Sequence, residues 1–165
     1  MKVLAIDPGY GRVGIAVLER KNGMATLLYS ACFETSTKAS FSERLCALGE
    51  EVARMVKKYA PDALAIETLL FNTNQKTAML VAEARGVITY EASRNSAPVF
   101  EYTPLQVKIA LTGYGRGTKQ QVTTMVKRLI TVKNEIVHDD EYDAIAIGLT
   151  HLASVPEYIA KNKEI

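Results

Sequence analysis

"AIDPGYGRVGIAV", residues 5–17, is the stretch on which the fold turns. The apolar run Lys2–Ile6 leads into a turn built from Pro8, Gly9 and Gly11, and Arg12–Leu18 resumes with Val13, Ile15 and Val17. Two apolar runs around a glycine turn read as a β-hairpin. Asp7 stands where the first strand gives way to the turn. An aspartate before Pro-Gly often only forms an Asx-turn. In an open α/β sheet, however, ligands gather outside the carboxyl ends of the strands, and Asp7 alone does not decide between the two readings.

Downstream, Ala25–Phe33 forms a third strand after the turn at Lys21, Asn22 and Gly23. The period then changes. Ser40 and Glu43 have capping-box spacing, and Phe41, Leu45, Leu48, Val52, Met55 and Val56 recur every three or four residues, which predicts a helix ending before Pro61. Ala63–Ile66 is a short buried strand that ends on Glu67. A loop with Phe71, Asn72 and Asn74 leads to a helix over 77–92, whose Ala82, Ala84 and Gly86 permit close approach of another element.

Pro98–Tyr102 is a fifth strand. Thr103 and Pro104 suit the N-cap and first position of a short helix ended by Gly113, and Thr118 with Gln121 caps the next, which carries Val122, Met125, Val126 and Leu129. A last helix starts near Asp139 and stops before Pro156. The order predicts an α/β fold: a mixed five-stranded sheet, three antiparallel strands and then parallel ones, flanked by helices.

With 165 residues, 48% hydrophobic and 23% charged, the chain suits one core, so residues 1–165 are read as a single domain. A net charge of +2 neither requires nor excludes a nucleic-acid partner, because a basic face can hide in a balanced total. Cys32 and Cys46 lack metal-ligand spacing and a histidine companion, so buried, reduced thiols are expected. No leader pattern opens the chain and no run of about 18 apolar residues occurs, so a cytoplasmic location is expected.

Carboxylates carry the functional reading. Asp7 and Glu67 both close apolar strands. In "HDDEYDAIAIGLTH", residues 138–151, Asp140 and Asp143 lie three apart and share a helix face with Ile147. Asp139, Asp140 and Glu141 also suit the positive end of a helix dipole. That does not account for Asp143, which points the way the apolar face points. Like charges brought together raise one another's pKa or push apart unless a cation joins them. Oxygen-only ligands select Mg²⁺ or Mn²⁺ over Zn²⁺, and two such ions about 3.5–4 Å apart support in-line displacement at a phosphodiester.

Taken in order, "AIDPG", "AIE" ending at Glu67, "LFNTNQKTAMLVAEARG", "PVFEYTPLQVK" through Lys108, "GRGTKQQV" around Lys119 and "DEYDAIAIGLTH" resemble the RuvC family of Holliday-junction resolvases from Lys2 to His151. The resemblance implies a ribonuclease-H-like fold and a homodimer. It also implies two Mg²⁺ or Mn²⁺ ions per site and paired nicks in four-way junction DNA that leave 5′-phosphate and 3′-hydroxyl ends. A RuvA–RuvB branch-migration complex is the implied partner.

By motif position the resemblance assigns metal binding to Asp7, Glu67, Asp140 and Asp143, of which Asp140 is the most replaceable. Lys108 and Lys119 resemble the family's basic residues beside the scissile phosphate, with Lys108 in the catalytic set. Arg12 and Arg116 are expected to face the DNA, while Lys76 serves as a DNA contact or, like Arg85, as a helix-surface charge. Where the family commonly carries an aromatic pair after the glutamate, this chain has Leu70 and Phe71; one of them wedges at the junction crossover or both are core.

Three rivals bear weighing. An actin-like phosphotransferase needs more chain than 165 residues supply. A RuvX-like nuclease acting in RNA processing shares the spacing of Asp7, Gly9, Arg12, Gly14 and Ala16, but the stretches 70–86 and 103–119 favour a resolvase. A retired binding module is disfavoured by the retention of all four acids.

Overall fold

The computed structural model describes residues 1–69, 75–132 and 135–155. Five strands, β1 (Lys2–Asp7), β2 (Arg12–Lys21), β3 (Met24–Glu34), β4 (Ala63–Glu67) and β5 (Val99–Tyr102), form one sheet in the order β3-β2-β1-β4-β5. β1 pairs antiparallel with β2 and parallel with β4; β2–β3 is antiparallel and β4–β5 parallel. The expected mixed sheet is thus present, with β1 at its centre. The β2–β3 ladder shifts register between Val17 and Leu18, an irregularity the sequence did not announce.

Strand side chains alternate between faces, and the two faces bury different sizes of residue. Leu4, Ile6, Val13, Ile15, Val17, Leu64 and Ile66 point to α1 (Phe41–Tyr59) and α2 (Gln75–Ser93). Val3, Ala5, Ala16, Leu18 and Ala65 point to the other face, shared with α3 (Pro104–Thr112), α4 (Lys119–Leu129) and α5 (Asp139–Ser154). Three alanines there let α5 lie close to the sheet through Ala144, Ala146 and Gly148; a Cβ on Gly148 would strike the side chain of Leu18. Ala144 to Leu152 are all buried, so α5 is an internal helix, covered on its far side by α3 and α4.

The helix ends follow the local chemistry. Capping boxes close the N-termini of α1 (Ser40, Glu43), α3 (Thr103, Gln106) and α4 (Thr118, Gln121), and Gly113 takes the left-handed conformation, φ 72°, that ends α3. At the far end of α5, Arg20 donates to the carbonyls of Leu152 and Val155, and the fully buried His151 hydrogen-bonds the Tyr102 hydroxyl at 2.9 Å.

One expectation needs correction. Cys46 is exposed on α1 and Cys32 only half-buried, so neither is a core thiol: Cys46 falls between the inward positions Leu45 and Leu48. The close approach expected of the small residues on α2 is met within the chain, where Ala84 is buried in the core shared with α1; Gly86 faces outward. Among the described residues, no helix is long and apolar enough to cross a membrane.

Candidate active site

Period-two alternation brings the first two acids together. Val3, Ala5 and then Asp7 follow one another on the α5 side of β1, and Ala65 and then Glu67 on that side of β4. The parallel register pairs Val3 with Ala63 and Ala5 with Ala65, so Asp7 and Glu67 end neighbouring strands side by side. Asp7 also pairs with Gly14 of β2, where a Cβ would collide with the Asp140 carbonyl oxygen. Glycine at that position is what lets the first turn of α5 settle over the hairpin, with Asp140 and Asp143 above the strand ends.

The electrostatics record the convergence. Burial, reinforced by Glu67, Asp143 and Asp140, pushes the Asp7 carboxyl up to about 8. Burial and Asp143 push Glu67 up to about 7, and burial raises Asp143 despite its hydrogen bond from Lys119. A pocket of about 240 Å³ opens beside them, lined by Glu67, Lys108, Lys119 and Asp143 over an apolar floor that includes Val107, Val122 and Ile147. All four predicted acids and both predicted lysines therefore lie in or beside one cleft.

Basic groups engage both α5 acids. The Lys119 ammonium donates to Asp139 and Asp143, each at 2.7 Å. Partial burial by itself would lower the Lys119 ammonium, but these two bonds outweigh it and hold the group above the ordinary lysine value. The Arg12 guanidinium stands 3.3 Å from Asp140 and 3.4 Å from His138 Nδ1, while His138 Nε2 faces Glu34 at 3.3 Å. As arranged, no three His, Cys, Asp or Glu side chains among the described residues are grouped so as to hold an ion. The donor set nonetheless fits a hard divalent cation: four oxygen-donor acids, of which burial raises Asp7, Glu67 and Asp143.

Several contacts were not foreseen. Asp139, expected only to favour the helix dipole, shares Lys119 with Asp143. Arg85 pairs with Glu101 at 2.6 Å and donates to the Glu67 carbonyl oxygen at 3.4 Å, tying α2 to the end of β4. Cys32 Sγ lies 4.0 Å from Asp140. All of these are long-range meetings without a local sequence signal. Arg116 is exposed in the segment between α3 and α4. Leu70, Phe71 and the Lys76 side chain lie outside the described residues.

The family model for "Crossover junction endodeoxyribonuclease RuvC" matches residues 3–151. The chain belongs to the RuvC family. A RuvC crossover junction endodeoxyribonuclease of Caldicellulosiruptor saccharolyticus is 40% identical over 166 residues, covering 100% of both chains. That of Thermosipho melanesiensis is 44% identical, covering 90% of this chain and 94% of its own. Thermus thermophilus RuvC in complex with a Holliday junction superposes with a TM-score of 0.85 at 33% identity, covering 92% of each chain. RuvC membership also sets aside the RuvX-like and actin-like readings.

Proposed function

We infer that this chain is a metal-dependent endodeoxyribonuclease that resolves four-way Holliday junctions by paired symmetrical nicks, in recombination and repair. The observation that carries the reading is the convergence of Asp7, Glu67, Asp140 and Asp143 from three elements onto one cleft beside Lys108 and Lys119. RuvC membership and the likeness to a junction-bound RuvC support the choice of substrate.

Asp7, Glu67, Asp140 and Asp143 would hold two Mg²⁺ or Mn²⁺ ions, which supply activation of the attacking water and stabilisation of the leaving oxygen, giving 5′-phosphate products. Asp7 and Glu67, fixed on central strands, set the floor of the site. Asp140 and Asp143 supply its other wall from α5. Lys108, on the rim of the pocket, offers its ammonium to the scissile phosphate and offsets charge that develops there. Arg12 and Arg116, at the mouth and on the exposed loop, add phosphate contacts that position the DNA without reading its sequence. Leu70 or Phe71 supplies the wedge at the crossover, and Lys76 a further DNA contact.

Two coordinated nicks call for two sites related by a two-fold axis, as in an isologous homodimer. The outward stripe Met79, Gly86 and Tyr90 on α2 supports that element as the interface. The junction would reach the dimer from a RuvA–RuvB branch-migration complex in the cytoplasm.

A nicking assay tests the reading directly. A synthetic four-way junction, a linear duplex and an RNA–DNA hybrid are each incubated with Mg²⁺ or Mn²⁺. Selective, symmetrical cutting of the junction is expected; preference for the hybrid or indifference to branching would overturn it.

A further inference from the structure

Lys119 sits in an unfavourable place for a cation. It is the first residue of α4, at the positive end of that helix's dipole. Its ammonium is nevertheless drawn across to α5, where Asp143 and Asp139 each accept a hydrogen bond at 2.7 Å. The same positive charge also lowers the proton affinity of Asp7 and Glu67, so three of the four site acids feel it. Asp139 lies outside the four and gives Lys119 a second acceptor at the mouth of the cleft. Its side chain is 60% exposed, against 27% for Asp143, so the lysine bridges an inner and an outer acid.

Resting on the metal-binding reading above, we propose that Lys119 is the resident counter-ion of the metal-free site, occupying Asp143 until a divalent ion displaces it toward the outer acid and the DNA phosphate. Displacement needs no backbone movement. The lysine side chain is 54% exposed, flexible, and still held by Asp139 after Asp143 lets go. The grouping of acids then becomes possible: with the ammonium gone, Asp143 is free to turn toward Asp7 and Glu67. Metal entry thereby places a freed positive charge beside the cleft where a phosphate must bind, linking the two binding steps.

The test measures Mn²⁺ binding to DNA-free protein by calorimetry and by loss of the free-ion paramagnetic resonance signal. Lys119→Met removes the charge and keeps the stem; Lys119→Arg keeps the charge. Lys119→Met should bind Mn²⁺ about three- to thirty-fold more tightly than wild type, the size expected for one unit charge a few ångströms from a divalent ion in a water-like dielectric. Lys119→Arg should bind no more tightly than wild type. Unchanged or weaker binding by Lys119→Met, with wild type binding normally, would overturn the counter-ion role and leave the metal site standing. Absence of Mn²⁺ binding by wild type would overturn both. As a check free of substitution, Mg²⁺ should shift the Lys119 ammonium signal of protein carrying ¹³C,¹⁵N-labelled lysine as the bond to Asp143 is lost; a signal unmoved at saturation would count against displacement.

Discussion

Replacing Asp7 with asparagine should make the metal-free protein more stable, and do so only at neutral and alkaline pH. The folded protein pushes the Asp7 carboxyl from 3.8 to about 8, with burial as the largest cause. A carboxyl raised in the folded state keeps its proton there while the unfolded chain has already released it. Stability is therefore full below pH 4 and is lost as pH rises toward 8. Each pH unit in that window is worth about 1.4 kcal/mol, which gives about 3 kcal/mol lost at pH 6 and about 5 kcal/mol at pH 8. Part of that loss needs ionised Glu67, Asp143 and Asp140 as neighbours, so Asp7→Asn should recover about 3–5 kcal/mol at pH 8 and under about 1 kcal/mol at pH 4. Urea unfolding of both proteins in EDTA at pH 4, 6 and 8 measures the difference. Excess Mn²⁺ should reverse the order, because an ion that binds only the folded wild type stabilises it by mass action. Equal stability at pH 8, or a difference that does not change with pH, would refute the buried Asp7 carboxyl, crowded by neighbouring acids, on which the site rests.

The same Asp7→Asn variant should fail to cut a synthetic four-way junction while retaining it in a gel-shift assay, since on the proposed reading it removes a metal ligand and no positive phosphate contact. Lys108→Ala should slow cleavage at least about ten-fold with Mn²⁺ affinity within about three-fold of wild type, as for a group acting on transition-state charge; a parallel loss of Mn²⁺ binding would show that it acts through the metal. Gly14→Ala should cost about 1–3 kcal/mol in urea unfolding and depress cleavage, because the added methyl meets the Asp140 carbonyl and must push the first turn of α5 off the hairpin. Thr118→Ala should cost about 1 kcal/mol through loss of the α4 cap, read as a lower urea midpoint.

Most of what could be read from the sequence was local or periodic. The hairpin at Asp7, the capping pairs Ser40–Glu43 and Thr118–Gln121, and the alternation that ends on Asp7 and Glu67 are short-range patterns, and the structure keeps each of them. The i, i+3 spacing of Asp140 and Asp143 was legible for the same reason. Side chains that meet across the fold were not. Lys119 reaches Asp143 over 24 residues and Arg12 meets Asp140 over 128, and both were expected to face DNA rather than the acids. The Tyr102–His151 pair likewise joins residues that only the packing of α5 on β5 brings together. Cys46 failed as a buried thiol because helical periodicity fixes a stripe and leaves the residues at its margin undecided.

The unequal anchoring of α5 has a mechanical consequence. Its tail is clamped by Tyr102 through His151 and by Arg20 through two backbone carbonyls, whereas its acidic head begins at His138 with no side-chain cap. Any rotation of such a rod about its clamped tail would be felt most where Asp140 and Asp143 sit, and there Arg12 and Lys119 are the side chains that restrain it. Asp7 and Glu67, at the ends of two adjacent strands, stand as the anvil, and the head of α5 is the jaw whose placement would set the width of the gap.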